Sequence, residues 1–313
     1  MCVSYRHLNQ VTLPFEYPIP RCDDAIDNFG DSAGHLHFIS LYNKTGYHQI
    51  SVRDKDQEKL AFFGPDHKKY TFTVTPFGPR NAPAFYTCMM RVFQDKWNAL
   101  FCFRHPSDTS HLGSRIIIDD ILLWATILAS LLNYFRCVCA IFLKYCVTFQ
   151  LKKCEFLTSR IEYVGHDITP DGNSPAQSKF ELITDWPLPA TGTALLSFIG
   201  LLTFYNTYCP WFEVCIKPLR LLERHHHRKP IPCNLWTPPL LLLWEELKIG
   251  ITSSPCLARY DSSKPCFRKT DWSALGMGWI LMQSDDSDAS VQALHLLCTE
   301  GLCNFDVTMS GPG

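Results

Sequence analysis

Two adjacent aspartates interrupt an otherwise aliphatic run, Ile116-Ile117-Ile118-Asp119-Asp120-Ile121-Leu122-Leu123-Trp124. An ionised carboxylate is costly to bury without a partner, and two side by side also repel each other. The β-branched flanks read as two short strands, which puts the aspartates at the tip of a tight hairpin. Negative charge concentrated on a rigid apolar arm suits a divalent cation, although a solvated Asp-Asp turn is the other reading of this segment alone. His225, His226 and His227 cannot all face one ion on a helix, and no matching ligands accompany them. They read as part of a solvated basic loop over Arg220–Lys229. The fifteen cysteines contain no Cys-x-x-Cys pair and are irregularly spaced. That pattern suggests neither a zinc site nor a disulfide framework, and points to buried free thiols in a reducing compartment.

The chain around these residues has 313 residues, 46% hydrophobic and 19% charged, which supplies a sizeable core and excludes global disorder. A net charge of −1 leaves nucleic acid open as a partner, because a basic groove can hide in a neutral total. Tyr5, Arg6, His7 and Asn9 follow Met1 too soon for a signal peptide, and the longest apolar stretch, Ile121–Leu132, is short and holds Ser130. An intracellular protein with no membrane segment is expected.

Periodicity and turn residues outline the elements that must hold the aspartates. Leu36–Val52 reads as a strand, a polar turn and a second element, and Lys59–Phe63 with Tyr70–Val74 as a hairpin about Gly64-Pro65-Asp66-His67. Asn81–Asn98 has helical spacing, with Phe85, Met89, Val92 and Phe93 on one face. A polar loop, Arg104–Gly113, precedes the aspartate hairpin; Leu131–Lys144 reads as a helix and Arg160–Ile168 as another hairpin arm. Residues 1–30 read as extended segments with a short helix at Asp23–Phe29. Trp186-Pro187-Leu188-Pro189 marks a boundary, followed by a helix over Ala194–Tyr208 with Leu195, Phe198, Leu202 and Tyr205 on one side. A further helix is expected at Pro239–Ile249, and two strands about a glycine turn over Cys266–Met282. Both ends of the sequence look cut.

Taken in order, several segments resemble the reverse transcriptase of gypsy-type long-terminal-repeat retrotransposons. Met1-Cys2-Val3-Ser4-Tyr5-Arg6-His7-Leu8-Asn9 resembles the fingers motif, and Thr45-Gly46-Tyr47-His48-Gln49-Ile50 the segment after the first catalytic aspartate. Thr75-Pro76-Phe77-Gly78-Pro79-Arg80-Asn81-Ala82-Pro83-Ala84 resembles the turn that contacts template and nucleotide. Ile117-Ile118-Asp119-Asp120 resembles the catalytic Tyr-x-Asp-Asp hairpin, and Tyr163-Val164-Gly165-His166 the primer grip. Leu196-Ser197-Phe198-Ile199-Gly200-Leu201 is similar to the thumb helix, and Thr270-Asp271 to the start of a ribonuclease H-like domain.

The resemblance implies an α+β fold: a right-hand polymerase palm, its antiparallel sheet backed by helices, with fingers and thumb. It implies fingers and palm over 1–168, connection and thumb helices over 169–230, and over 231–313 a ribonuclease H-like segment with Asp271 as its first acidic ligand. The remaining acidic positions would lie beyond Gly313. The implied chemistry is RNA-directed DNA synthesis with two magnesium ions, on an RNA or DNA template with primer and deoxynucleotides. Asp119 and Asp120 would be the metal ligands. Tyr47 would exclude a 2′-hydroxyl from the incoming sugar, and Phe77 and Gly78 would lie close to the nucleotide. Lys152 and Lys153, with Arg160, read either as phosphate contacts or as solvated surface charges.

Several departures bear on activity. The third carboxylate belongs four residues before Gly46, where Phe38-Ile39-Ser40-Leu41-Tyr42-Asn43 carries Tyr42-Asn43 in place of Asp-Leu. A phenol, with a reference pKa near ~10, is a poor magnesium ligand at neutral pH. The motif tyrosine is Ile117 here, and the family's triphosphate-gripping basic residue would precede Met1. An impaired polymerase is expected, or a non-catalytic remnant that at most binds nucleic acid.

Overall fold

The alternation of apolar residues in the first half of the chain builds one sheet and the two helices that cover it. In the computed structural model, residues 3–18, 36–108, 110–169, 172–209, 212–252, 265–273, 276–284 and 291–301 are described. The chain divides into two compact units, Met1–Val164 and Gly165–Gly313.

In the first unit, α1 (Arg6–Val11) precedes β1 (His37–Tyr42). After a one-turn helix at Gly46–Gln49 come α2 (Asp54–Gln57), β2 (Phe62–Phe63) and β3 (Lys69–Tyr70). Then follow α3 (Ala82–Arg104), β4 (Leu112–Ile117), β5 (Asp120–Ala125), α4 (Leu128–Lys144), β6 (Glu155–Thr158) and β7 (Ile161–Tyr163). The sheet runs β4-β5-β1-β6 with every pairing antiparallel. Ile39 and Leu41 of β1 and Ile121, Leu123 and Ala125 of β5 share one core with Tyr86, Met90, Phe93, Trp97 and Phe101 of α3 and Leu131, Tyr134, Val138 and Phe142 of α4. Side chains alternate along a strand, so Tyr42 and Asp120 project from the sheet face away from these helices.

The buried stripe of α3 differs from the face expected for it. Phe85 and Val92 are exposed, and the core side runs through Tyr86, Met90, Phe93, Trp97 and Phe101. The Lys59–Val74 hairpin is also smaller than expected. Only Phe62–Phe63 pairs with Lys69–Tyr70, Glu58–Leu60 is a helical turn, and Val74 instead bridges Ser51.

In the second unit, β8 (His166–Thr169) pairs with β9 (Gly172–Pro175). Helices α5 (Gln177–Thr184), α6 (Gly192–Phe204), α7 (Phe212–His225) and α8 (Pro238–Thr252) follow. Leu195, Phe198 and Leu202 of α6 and Tyr205 just after it are buried in a core with Ile216, Leu219, Trp244 and Leu247. Arg220 to His225 is the end of α7 and not a loop, because Ile216 and Leu219 carry the helix's apolar side on towards it. His227 Nδ1 lies 2.8 Å from Glu223 Oε1, one turn earlier, which gives that histidine a local partner. The two strands expected over Cys266–Met282 are β10 (Cys266–Ser273) and β11 (Gly276–Ser284), and β12 (Val291–Gly301) adds a third strand beyond them in an antiparallel meander. The expected helix at 23–29 lies outside the described residues.

Candidate active site

The hairpin between β4 and β5 turns in two residues, Ile118 and Asp119, with Ile117 paired to Asp120. Asp119 therefore occupies the tip, while Asp120 already belongs to the strand. Ile118 has φ 51°, a left-handed conformation that a β-branched residue adopts only under strain. The neighbouring strand brings Tyr42 directly opposite Asp120 in the antiparallel register. The next residue locks the tip from its backbone, with Asn43 N donating to Asp119 O at 3.0 Å.

Gly46 explains how the Asp119 carboxylate fits. A Cβ at this position would overlap Asp119 Oδ1 and stand 2.8 Å from Cγ and 2.9 Å from Oδ2. The carboxylate lies on the bare α-carbon of the one-turn helix Gly46–Gln49, and Oδ1 is shut off from water with no hydrogen-bond partner. Gln49 fixes that turn: its Nε2 donates to Lys44 O at 2.6 Å, and its Oε1 accepts from Thr148 N at 2.7 Å.

Electrostatics follow from this burial. Loss of water raises the pKa of Asp119, and the Tyr86 hydroxyl and the Lys153 charge pull it back only in part. Asp120 is raised by burial and by the charge of Asp119, again with Lys153 opposing. Tyr86 is strongly raised, mainly by burial. Its oxygen accepts from Asn43 Nδ2 at 2.6 Å, and Asn43 is wholly buried with its Oδ1 unpartnered. Lys153 Nζ sits 4.0 Å from the centre of the Tyr42 ring.

Beside the hairpin, the half-buried Tyr47 meets Phe77 at 5.3 Å and Tyr86 at 5.4 Å between ring centres. Burial and the Asp119 charge raise its pKa. Phe77 is 58% exposed, enough to offer a ring to a ligand. Gly78 has φ 108°, a conformation suited to glycine, and a Cβ there would stand 3.1 Å from the Tyr5 ring. Asn9 ties the first motif to this turn, donating to Gly78 O at 2.9 Å and accepting from Arg80 N at 2.8 Å.

The remaining expected residues have surroundings of their own. Tyr163 is buried in β7. Gly165 has φ 77°, and its carbonyl accepts from Tyr205 Oη at 3.0 Å and from Ala176 N at 2.9 Å. His166 is a core histidine, with Nδ1 2.9 Å from Tyr208 Oη and its ring among Phe204, Tyr205 and Tyr208. Asp271 lies in β10 opposite Gly278. Sequence reasoning missed Tyr86, and it placed Asn9 in the first motif without its tie to the Gly78 turn. The Asn81–Asn98 periodicity contained the signal for Tyr86, four residues before the buried Met90.

A pair of magnesium ions asks for about three carboxylate donors besides water and substrate phosphates. The residue that β1 sets opposite Asp120 is Tyr42, an aryl ring and not a carboxylate, and one Asp119 oxygen is pressed against Gly46. No group of three or more His, Cys, Asp and Glu among the described residues is arranged to hold a metal ion. The described residues do not fit a two-metal site.

Residues 1–168 match the family model described as reverse transcriptase (RNA-dependent DNA polymerase). The Retrovirus-related Pol polyprotein from transposon 297 of Drosophila melanogaster is 29% identical over 283 residues, covering 90% of this chain and 25% of that protein. The transposon Tf2-3 polyprotein of Schizosaccharomyces pombe is 26% identical over 290 residues, covering 92% and 20%. The chain thus spans about a quarter of the length of the curated relatives it matches. A foamy viral protease-reverse transcriptase in complex with dsDNA superposes with a TM-score of 0.77 at 20% identity, over 97% of this chain and 58% of that one. The same protein in complex with an RNA/DNA hybrid gives 0.74 at 20% identity, over 96% and 38%. At that identity the likeness is one of fold. With more than half of its length matched by the family model, the chain belongs to the reverse transcriptase (RNA-dependent DNA polymerase) family.

Proposed function

We propose that this chain is the polymerase module of a retrotransposon Pol polyprotein in which nucleotidyl transfer is disabled at position 42, leaving at most a grip on nucleic acid. One observation carries the reading: Tyr42 stands across from Asp120 where the family pattern has its first aspartate. Nucleotidyl transfer in this family depends on a divalent metal, and in its relatives magnesium would be shared by three carboxylates. Among the described residues, this chain supplies Asp119 and Asp120.

The partners in this reading are a primer on an RNA or DNA template, with deoxynucleotides as substrates where any activity survives. The foamy viral structures of like fold, one with dsDNA and one with an RNA/DNA hybrid, support that class of partner. Tyr47, Phe77 and Gly78 are read as the nucleotide-facing surface, and Tyr163, Gly165 and His166 as the primer grip. Residues 1–168 would be fingers and palm, 169–230 connection and thumb, and 231–313 the start of a ribonuclease H-like segment. The meander that carries Asp271 in its first strand supports that last reading.

The test is primer extension on a primed RNA template with magnesium, comparing the natural chain, Asp119→Ala, and Tyr42→Asp with Asn43→Leu. The natural chain is expected to match Asp119→Ala. The repaired chain is expected to exceed both, within the roughly 10²–10³-fold that one well-placed electrostatic stabiliser contributes. A natural chain that extends primers well, and loses this with Asp119, would sink the proposal.

A further inference from the structure

Tyr42 carries a cation on its face. The Lys153 ammonium, at the end of the one-turn helix Leu151–Lys153, lies 4.0 Å from the ring centre, inside the range of about 6 Å over which an aromatic face attracts a cation. Ring and ammonium are held by one short piece of chain. Tyr42 O accepts from Gln150 N at 2.8 Å and Tyr42 N donates to Cys154 Sγ at 3.4 Å, so both backbone groups are bound by residues flanking that helix.

The β1–β5 register sets the ring beside Asp120, and the charge of Lys153 acts on both Asp119 and Asp120. On the other side of the tip, Asn43 donates to the Tyr86 oxygen, which leaves the hydroxyl proton free to face Asp119. The two residues that replace the family's Asp-Leu pair thus each bring a protein group towards the carboxylates. Tyr42 seats an ammonium, and Asn43 orients a hydroxyl.

We propose that Lys153, seated on Tyr42, is a tethered cation that stands in for a divalent metal at the Asp119–Asp120 hairpin. The inference rests on reading Tyr42 as the replaced carboxylate. It goes further, because it makes the metal binding expected to be weak an active exclusion by Lys153 and not only the loss of a ligand. An ammonium fixed by its own chain needs no dehydration on arrival, and its charge repels an incoming divalent ion.

Manganese titration followed by electron paramagnetic resonance, on the full chain without primer, template or nucleotide, tests this separately from the extension assay. The natural chain and Lys153→Arg are expected to leave the manganese signal free. Lys153→Gln is expected to bind the ion more tightly, by roughly the 10–100-fold that groups around a metal site contribute to affinity. Adding Asp119→Asn should abolish that gain. Lys153 is exposed, so its replacement leaves the core intact, and Tyr42→Leu, which removes the aromatic seat but keeps the lysine, is a second route to the same gain. Lys153→Gln that binds no more manganese than the natural chain overturns the proposal. So does a gain that survives Asp119→Asn, a Tyr42→Leu variant without one, or a natural chain that already binds manganese through Asp119.

Discussion

Asp119 is held at a cost when charged. Burial raises its pKa in the folded state, and Tyr86 and Lys153 do not fully reverse this. A carboxyl whose folded pKa lies above its unfolded value stabilises the protein fully below the unfolded value, and that contribution is lost as pH rises through the folded one. At neutral pH the ionised side chain therefore opposes folding, and the neutral isostere Asp119→Asn should be the more stable protein. Because the group is only half buried, the gain should be small, up to about 1 kcal/mol. It should shrink as pH falls towards the unfolded value. Urea melts of both proteins from pH 7 down to pH 5 measure it; an asparagine variant that is less stable at pH 7, or a gap that widens on acidification, contradicts the assignment. The place of the aspartates at a hairpin tip was legible in the sequence because β-branched runs flank them on both sides. Asn43 was legible only as a departure from a pattern. Its contact with Tyr86 depends on how a helix is rotated, and no local sequence feature states that.

At the scale of elements, the site depends on how closely the Gly46–Gln49 turn approaches the β4–β5 hairpin. Gly46→Ala places a methyl group where the Asp119 carboxylate lies, so either the turn or the hairpin tip must move. Such overpacking typically costs about 1–3 kcal/mol. The expected result is a lower midpoint in thermal melts, with a change in the fluorescence or NMR signals of Tyr47 and Tyr86. Wild-type stability in Gly46→Ala would mean that the carboxylate does not rest there. The strands and long helices around this contact were readable from periodicity, but the phase of α3 was not. Phe85, Met89, Val92 and Phe93 make as good a stripe as Tyr86, Met90, Phe93 and Trp97 over a few turns. Extending the count to Phe101 favours the second stripe, and Phe85 is left outside to stack on Phe15 at 4.8 Å. The small hairpin at Phe62–Phe63 was overread, because a stretch of alternating residues does not reveal how many of them find a partner.

Over the whole molecule, a net charge of −1 means that nucleic-acid binding must come from local basic surface. Lys152 and Arg160 are exposed on either side of β6 and are, with Lys153, the cations we propose to meet phosphates. If they serve that purpose, binding of a labelled primer–template should weaken steeply with salt, and Lys152→Gln or Arg160→Gln should each flatten the log–log slope by about 0.7–0.9. Affinity that is flat in salt, or slopes unchanged in both variants, would remove the proposed grip. No helix among the described residues is long and apolar enough to cross a membrane.

The strand order β4-β5-β1-β6 also sets a timetable. β1 lies between two strands that are made long after it, since its partner for Tyr42, Asp120, comes about 80 residues later in the chain. At the usual synthesis rate of roughly 5–20 residues per second, β1 waits on the order of ten seconds before its first neighbour exists. During that interval Leu36 and the β1 residues Phe38, Ile39 and Leu41, all buried in the finished protein, have no strand partner to cover them. The segment on which the site is founded is thus one that needs protection during birth. A chaperone-depleted translation system should lose this protein through β1 before the aspartate hairpin has been synthesised.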